Sequence, residues 1–268
     1  MTTHTDSYVR SFGPRAVFHI PHAASVIPSD VRGQFLVSDE RLADEIRLMT
    51  DHLTDELFAV PEATALAVRF PVSRLVVDPE RFEADEQEPM AARGMGVIYD
   101  RTGRQTPLRR PLIEPERQVL LERWYRPHHR LLTGAVDTVL QTRGTCLIID
   151  AHSFPSIPLP YEADQDPDRP DICIGTDAFH TPPPLRNLAV TLCLDAGWTV
   201  AVNRPFAGAL VPMAYFRKDA RVRSVMIEVN RGLYLDEQSG ARSASFDRCR
   251  AAICGILQRI VEAGGLDT

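Results

Sequence analysis

The sequence predicts an α/β protein: a single-domain, three-layer α/β/α fold with a mostly parallel mixed sheet. Three observations carry that expectation. Short, largely apolar runs recur at 16–20, 146–149, 172–175, 199–202 and 225–229. Near-continuous runs belong to strands covered on both faces, as in parallel sheets. Helical patterns alternate with these runs, and alternation of this kind builds layered α/β domains. No internal repeat divides the 268 residues, so one domain is expected over 1–268.

The elements follow in order. The run 16–20 reads as a strand that exits into the loop Pro21-His22-Ala23-Ala24-Ser25. From Asp39 the pattern turns helical, with Leu42, Ile46, Met49, Leu53 and Leu57 on one face. Ser38 is the expected N-cap, and Arg41 stands where a capping box would place Glu. Residues 63–70 and 75–77 read as strands, the second ending at Asp78-Pro79. Residues 83–111 are polar and carry Gly94, Gly96 and Gly103. They predict a long excursion near the site, with a small hairpin around Val97-Ile98-Tyr99 and a turn at Thr102-Gly103. Loops of this length in compact domains are usually functional. Pro115 opens a helix to about Gln141, with a kink at Pro127. Further helices are expected over 184–196, stopped by Gly197, and over 243–263.

Composition excludes several chemistries. Of 30 basic residues, 29 are arginine and one is lysine, Lys218. Lys218 follows Arg217, so no phosphate-cradling Gly-Lys-Ser/Thr loop exists. A Schiff base would have to use Lys218 itself. The net charge of −6 argues against a nucleic-acid footprint. No stretch approaches the roughly 18 apolar residues of a membrane span. Residues 1–10 lack the apolar core of a signal peptide. The five cysteines are odd in number and form no C-x-x-C pair. That predicts reduced thiols in a cytoplasmic protein and excludes a zinc ribbon. The expected partner is a small molecule, with neither nucleic acid nor membrane.

In parallel α/β sheets, ligands sit at the carboxyl ends of strands. His22, His152 and Glu228 stand there. A catalytic zinc takes three protein ligands and keeps one open position. His22 and His152 supply two nitrogens. The third ligand is a carboxylate from among Asp51, Asp55 and Asp78, with Asp51 favoured where it leaves its helix beside His52. Asp150 either faces the opposite side of the strand or backs His152. No H-E-x-x-H and no G-x-S-x-G occur, so the helical zinc-protease motif and the nucleophile elbow are unsupported. Arg81 or Arg231, which follows Asn230, can grip a carboxylate by two parallel hydrogen bonds. Arg74 can face a developing oxyanion. Each also has a structural reading, as a bridge to Asp78 or Glu80.

Six segments, taken in order, resemble the N-formylglutamate amidohydrolase family of the zinc carboxypeptidase-like clan. They are Ile20-Pro21-His22, Thr50-Asp51-His52 through Asp55-Glu56-Leu57, Ser73-Arg74-Leu75-Val76-Val77-Asp78, Tyr125-Arg126-Pro127-His128-His129, Asp150-Ala151-His152-Ser153 and Ile227-Glu228-Val229-Asn230-Arg231-Gly232-Leu233-Tyr234. The resemblance implies a carboxypeptidase-like fold and hydrolysis of an N-acyl amide on an acidic amino acid. It implies His22 and His152 as zinc ligands, Glu228 as the catalytic glutamate and Arg81 as the carboxylate-binding arginine. Two departures stand out. The clan's first ligand motif is H-x-x-E, and Ser25 occupies the position three after His22, so Asp51 is inferred as the third ligand. The family's Asp-x-Asn-Arg reads Asp78-Pro79-Glu80-Arg81 here, which sets a negative charge beside Arg81.

The expectation is therefore a zinc-dependent amidohydrolase that cleaves the N-acyl amide of an acidic amino acid, for example N-formyl-L-glutamate and water to formate and L-glutamate. Glu228 and Arg74 are the catalytic residues. Arg81, Asn230, Arg231 and His129 contact substrate. His22, Asp51 and His152 hold about one zinc per chain. Two alternatives remain: a deacylase or carboxypeptidase on another N-acyl amino acid or peptide, and a non-catalytic binder of acidic metabolites.

Overall fold

A computed structural model of the chain describes residues 13–59 and 64–264. Residues 1–10, and Ala63 at the expected start of the second strand, lie outside the described residues.

Six strands form the main sheet: β1 (Ala16–Ile20), β2 (Ala65–Arg69), β3 (Cys146–Phe154), β4 (Ile172–Gly175), β5 (Val200–Val202) and β6 (Val222–Asn230). Their spatial order is β2-β1-β3-β6-β4-β5. All neighbours run parallel except β4 and β6. The sheet is thus mostly parallel and mixed, as the apolar runs predict.

The helices are α1 (Ser29–Arg32), α2 (Asp39–Met49), α3 (Thr54–Leu57), α4 (Glu114–Leu120), α5 (Arg126–Arg143), α6 (Pro183–Asp195) and α7 (Phe246–Gly264). Successive strand residues point to opposite faces, and that alternation separates two cores. Phe18, Ile149 and Val229 pack with Leu192, Ile253 and Leu257 of α6 and α7. Val17, Cys146, Ile148 and Val222 pack with Leu132, Val136 and Val139 of α5. Helices therefore cover both faces and complete three layers.

Several expected elements differ, each for a local reason. Residues 75–77 form no strand: a turn spans 74–76, although 75–77 are fully buried. Their carbonyls are held by the buried guanidinium of Arg109, which donates to Leu75 and Val76. The expected helix from Asp39 through Leu57 breaks after Met49, where Leu53 takes a left-handed φ of 61°. Asp51 thus sits in a break between α2 and α3. Ser38 does cap α2, accepting from the Arg41 amide. The long helix from Pro115 is interrupted by a widened turn at Leu121–Tyr125, which places Pro127 in the first turn of α5. A proline is tolerated there because its missing N–H has no helical partner.

Within the excursion, residues 97–99 are not a strand. Two tight helical turns, Asp85–Gln87 and Pro89–Arg93, precede them. The turn at Thr102-Gly103 does form, closed by an isolated bridge between Arg101 and Pro107. The buried Glu45 of α2 accepts from the Gly103 amide at 2.6 Å and pins that turn. β3 and β6 run further than their apolar cores, so His152 and Glu228 lie inside strands near their carboxyl ends.

Candidate active site

A strand exit, a break between helices and a parallel strand register bring the site together. β1 ends at Ile20, and Pro21 carries the chain to His22. The break after α2 docks on this exit, with the Asp51 amide donating to the His22 carbonyl at 3.0 Å. Asp51 in turn starts α3, its carbonyl accepting from the Thr54 hydroxyl at 2.8 Å. His152 of β3 lies directly beside Glu228 of β6 in the parallel register.

One ligand atom each from His22, Asp51 and His152 lies within 4.8 Å of the others, and all three residues are buried. His22 Nε2 sits 2.8 Å from Asp78 Oδ1 and so donates to that carboxylate. Its Nδ1 is buried without a hydrogen-bond partner and lies 3.7 Å from Asp51 Oδ2. His152 Nδ1 is 3.1 Å from the same oxygen. His152 Nε2 faces Asp150 Oδ1 at 3.2 Å and Glu80 Oε2 at 3.1 Å. Asp51 Oδ1 accepts from Arg231 Nη2 at 2.9 Å.

Two imidazole nitrogens and a carboxylate oxygen thus converge, and each ligand is backed by an outer polar partner. That is the pattern by which proteins orient metal ligands, and two histidines with one carboxylate suit a catalytic zinc. The orphaned Nδ1 of His22 is a buried lone pair that a cation would satisfy. The residues present fit a divalent ion.

The carboxylates around the cluster favour positive charge there. Burial opposes ionisation of Asp51, yet His152, His22 and Arg231 more than offset it and hold Asp51 below the ordinary carboxylate range. Burial also disfavours a charged His152, but Glu80 and Asp150 outweigh it and raise its pKa. Burial acts in the other direction on Glu228, pushing its carboxyl up to about 8. His152 opposes that rise, and the Asp51 and Glu80 carboxylates add to it. Glu228 Oε2 is buried with no partner among the described residues.

The cavity over this cluster measures about 390 Å³ and is lined by both histidines, Asp51, Glu228 and three arginines. Those arginines are Arg74, Arg81 and Arg231. Arg74 donates to Asp78 Oδ2 through Nη2 at 2.8 Å and Nε at 3.2 Å. Arg231 spends all three nitrogens: Nε on Ser153, Nη1 on the Leu48 carbonyl and Nη2 on Asp51. Arg81 is anchored by Nε alone, on the Met95 carbonyl at 3.3 Å.

Two of the expected substrate contacts lie elsewhere. Asn230 does not line the cavity; its amide donates to the Pro170 carbonyl and accepts from the Gly232 amide. His129 donates to the Pro79 carbonyl at 2.9 Å and lines an adjoining cavity instead.

Asp150 faces the same side as His152, because residues two apart in a strand share a face. Glu80 turns toward His19 and His152, and no Glu80–Arg81 ion pair occurs among the described residues. The residues that the sequence left obscure are those in outer positions. Asp78 orients His22 while holding Arg74, Tyr99 donates to the same carboxylate, and His19 binds Asp150 at 2.9 Å. His19 had one legible signal, a polar side chain inside an otherwise apolar run.

Residues 15–235 match the family model described as N-formylglutamate amidohydrolase. An N-formylglutamate deformylase of Pseudomonas putida is 27% identical over 228 residues, covering 81% of this chain and 80% of that protein. The crystal structure of an N-formylglutamate amidohydrolase from Ralstonia eutropha JMP134 superposes with a TM-score of 0.81 at 26% identity, covering 94% of this chain and 95% of that one. A gene product of Agrobacterium tumefaciens shares the fold, with a TM-score of 0.60 at 20% identity over 93% of this chain and 89% of its own. The chain belongs to the N-formylglutamate amidohydrolase family.

Proposed function

We propose that the chain is a metal-dependent amidohydrolase that cleaves the N-acyl amide of an acidic amino acid. N-Formyl-L-glutamate is the leading substrate, giving formate and L-glutamate. One observation carries the reading: His22, Asp51 and His152 converge beside the buried Glu228 in a cavity bordered by arginines. His22 Nδ1, Asp51 Oδ2 and His152 Nδ1 would hold the ion, for which zinc suits the donor set. A divalent ion there supplies positive charge that acidifies water and polarises a carbonyl.

The chain's own residues divide the remaining work. Glu228 takes a proton from the attacking water and returns it to the departing nitrogen, as a general base and then a general acid. The water oxygen bonds to the acyl carbon, the carbonyl π pair moves onto its oxygen as an oxyanion, and its return breaks the carbon–nitrogen bond as the nitrogen takes the proton. Its unpartnered Oε2 leaves Glu228 free for that transfer. Arg74, held rigid by Asp78, is positioned to stabilise the oxyanion. The substrate carboxylate falls to Arg81, since Arg231 is committed to Asp51. Arg231 acts as a positioning residue. The five cysteines are all unpaired, which suits the cytoplasm.

Formate release from N-formyl-L-glutamate tests the reading. The Glu228→Gln variant should fold and lose about a hundredfold or more in kcat. Turnover at the unmodified rate in that variant would reject its role.

A further inference from the structure

A second cavity of about 330 Å³ adjoins the reaction cavity. The two share Glu80, Arg81, Ala207 and Met226 as a common wall. Their chemistry differs. Arg74 and Arg231 line only the first, which also holds His22, Asp51 and His152. The second is walled by Tyr125, Leu210, Val211 and Phe216, with the carboxylates Glu80, Asp150 and Asp177. Its one histidine, His129, is neutral near pH 7, because burial pushes its pKa down to about 4. Arg81 on the shared wall is the sole arginine or lysine among its lining residues.

The wall is built rather than incidental. The Leu210 amide donates to Asp150 Oδ2 at 2.9 Å, and the Leu210 carbonyl accepts from Ser224 at 2.9 Å. The strap 207–211 is thereby tied to β3 and β6. Its close approach needs Gly175, where an added Cβ would meet the Gly208 carbonyl at 2.3 Å.

An N-acyl acidic amino acid has two halves joined at the scissile amide. Both cavities carry carboxylates, but the first sets Arg74, Arg81 and Arg231 against them and the second only Arg81, so the anionic amino-acid half is drawn to the first. A formyl group carries only hydrogen beyond its carbonyl carbon and reaches nothing in the second cavity. We infer that the second cavity is an acyl subsite, which accepts an uncharged acyl chain of several carbons on the same acidic amino acid. This rests on the amidohydrolase reading above and extends it to larger acyl groups. Apolar walls reward each buried methylene by about 0.8 kcal/mol, or roughly fourfold.

The test compares N-formyl-, N-butanoyl- and N-hexanoyl-L-glutamate. Turnover is followed by amine release in the metal-loaded enzyme. Binding is followed by calorimetry in Glu228→Gln, so that it is read without turnover. Binding should tighten from formyl to hexanoyl by tenfold or more, and kcat/KM should rise with it. Ala209→Trp and Met213→Trp, at positions that line the second cavity and not the reaction cavity, should abolish that preference while leaving N-formyl-L-glutamate turnover unchanged. Preference for hexanoyl in binding, without turnover of any acyl group, keeps the subsite and rejects the hydrolase reading. Turnover of the formyl substrate with no gain in binding or rate from longer chains overturns the subsite. So does a preference that survives both tryptophan variants.

Discussion

The two faces of the sheet are built by alternate residues of the same strands, yet they hold opposite chemistry. Toward α6 and α7, β1, β3 and β6 present Phe18, Ile149, Ala151, Ile227 and Val229, all apolar and buried. Toward α5, the same strands begin apolar with Val17, Cys146, Ile148 and Val222. They then turn polar with His19, Asp150, His152 and Glu228, which are also buried. The first face gains stability from burial alone. The second gives up part of that gain near the strand ends and must compensate each charge locally, because a buried unpaired charge is costly. His19 with Asp150, and His152 with Asp150, Glu80 and Asp51, are the compensating contacts, while Asp78 and Arg231 fix the ligands His22 and Asp51 from outside.

That contrast can be broken from either side. The largest expected effect is on the apolar face. Phe18→Ala removes a fully buried ring and should cost about 3–5 kcal/mol in urea unfolding. The ligand geometry of the surviving folded protein should be intact, seen as unchanged metal stoichiometry. On the polar face the effect is read in metal binding. Asp78→Asn leaves an acceptor for His22 but withdraws the charge that holds both it and the buried Arg74. Metal affinity, measured by competition with a chromophoric chelator, should fall about ten- to hundredfold. The smallest effect belongs to neither face. Glu116→Gln breaks the surface pair with Arg110 at 2.5 Å, and exposed pairs contribute little. Its urea midpoint should match that of the unmodified chain. A clear loss there would mean that surface charge matters as much as the buried pairs.

Much of the scaffold was legible because burial on both faces leaves a continuous apolar signature. β1 occupies 16–20 as expected for that reason. The same signature misleads at 75–77, where three fully buried residues form no strand. Periodicity cannot tell a short strand from any other buried segment. The break at Asp51 was hidden differently. Apolar spacing continues across it from Met49 to Leu57, and the break is set by a tertiary bond from Asp51 to the His22 carbonyl. His22 and His152 were readable as ligand types near strand ends and Asp51 as a carboxylate leaving its helix, and the three do come together. What each outer residue faces was not readable. Glu80 stands next to Arg81 in sequence and faces His152 in space. Arg231 follows Glu228 closely and yet spends its guanidinium on Asp51, Ser153 and Leu48.

The central claim is that His22, Asp51 and His152 form a metal centre. Elemental analysis of protein purified without chelator tests it most directly, with His152→Ala prepared in parallel. The account predicts about one divalent ion per chain, lost from the variant while its circular dichroism remains that of the folded protein. Protein that carries no divalent ion and cannot be restored with zinc, or a variant that retains its full complement, would contradict it.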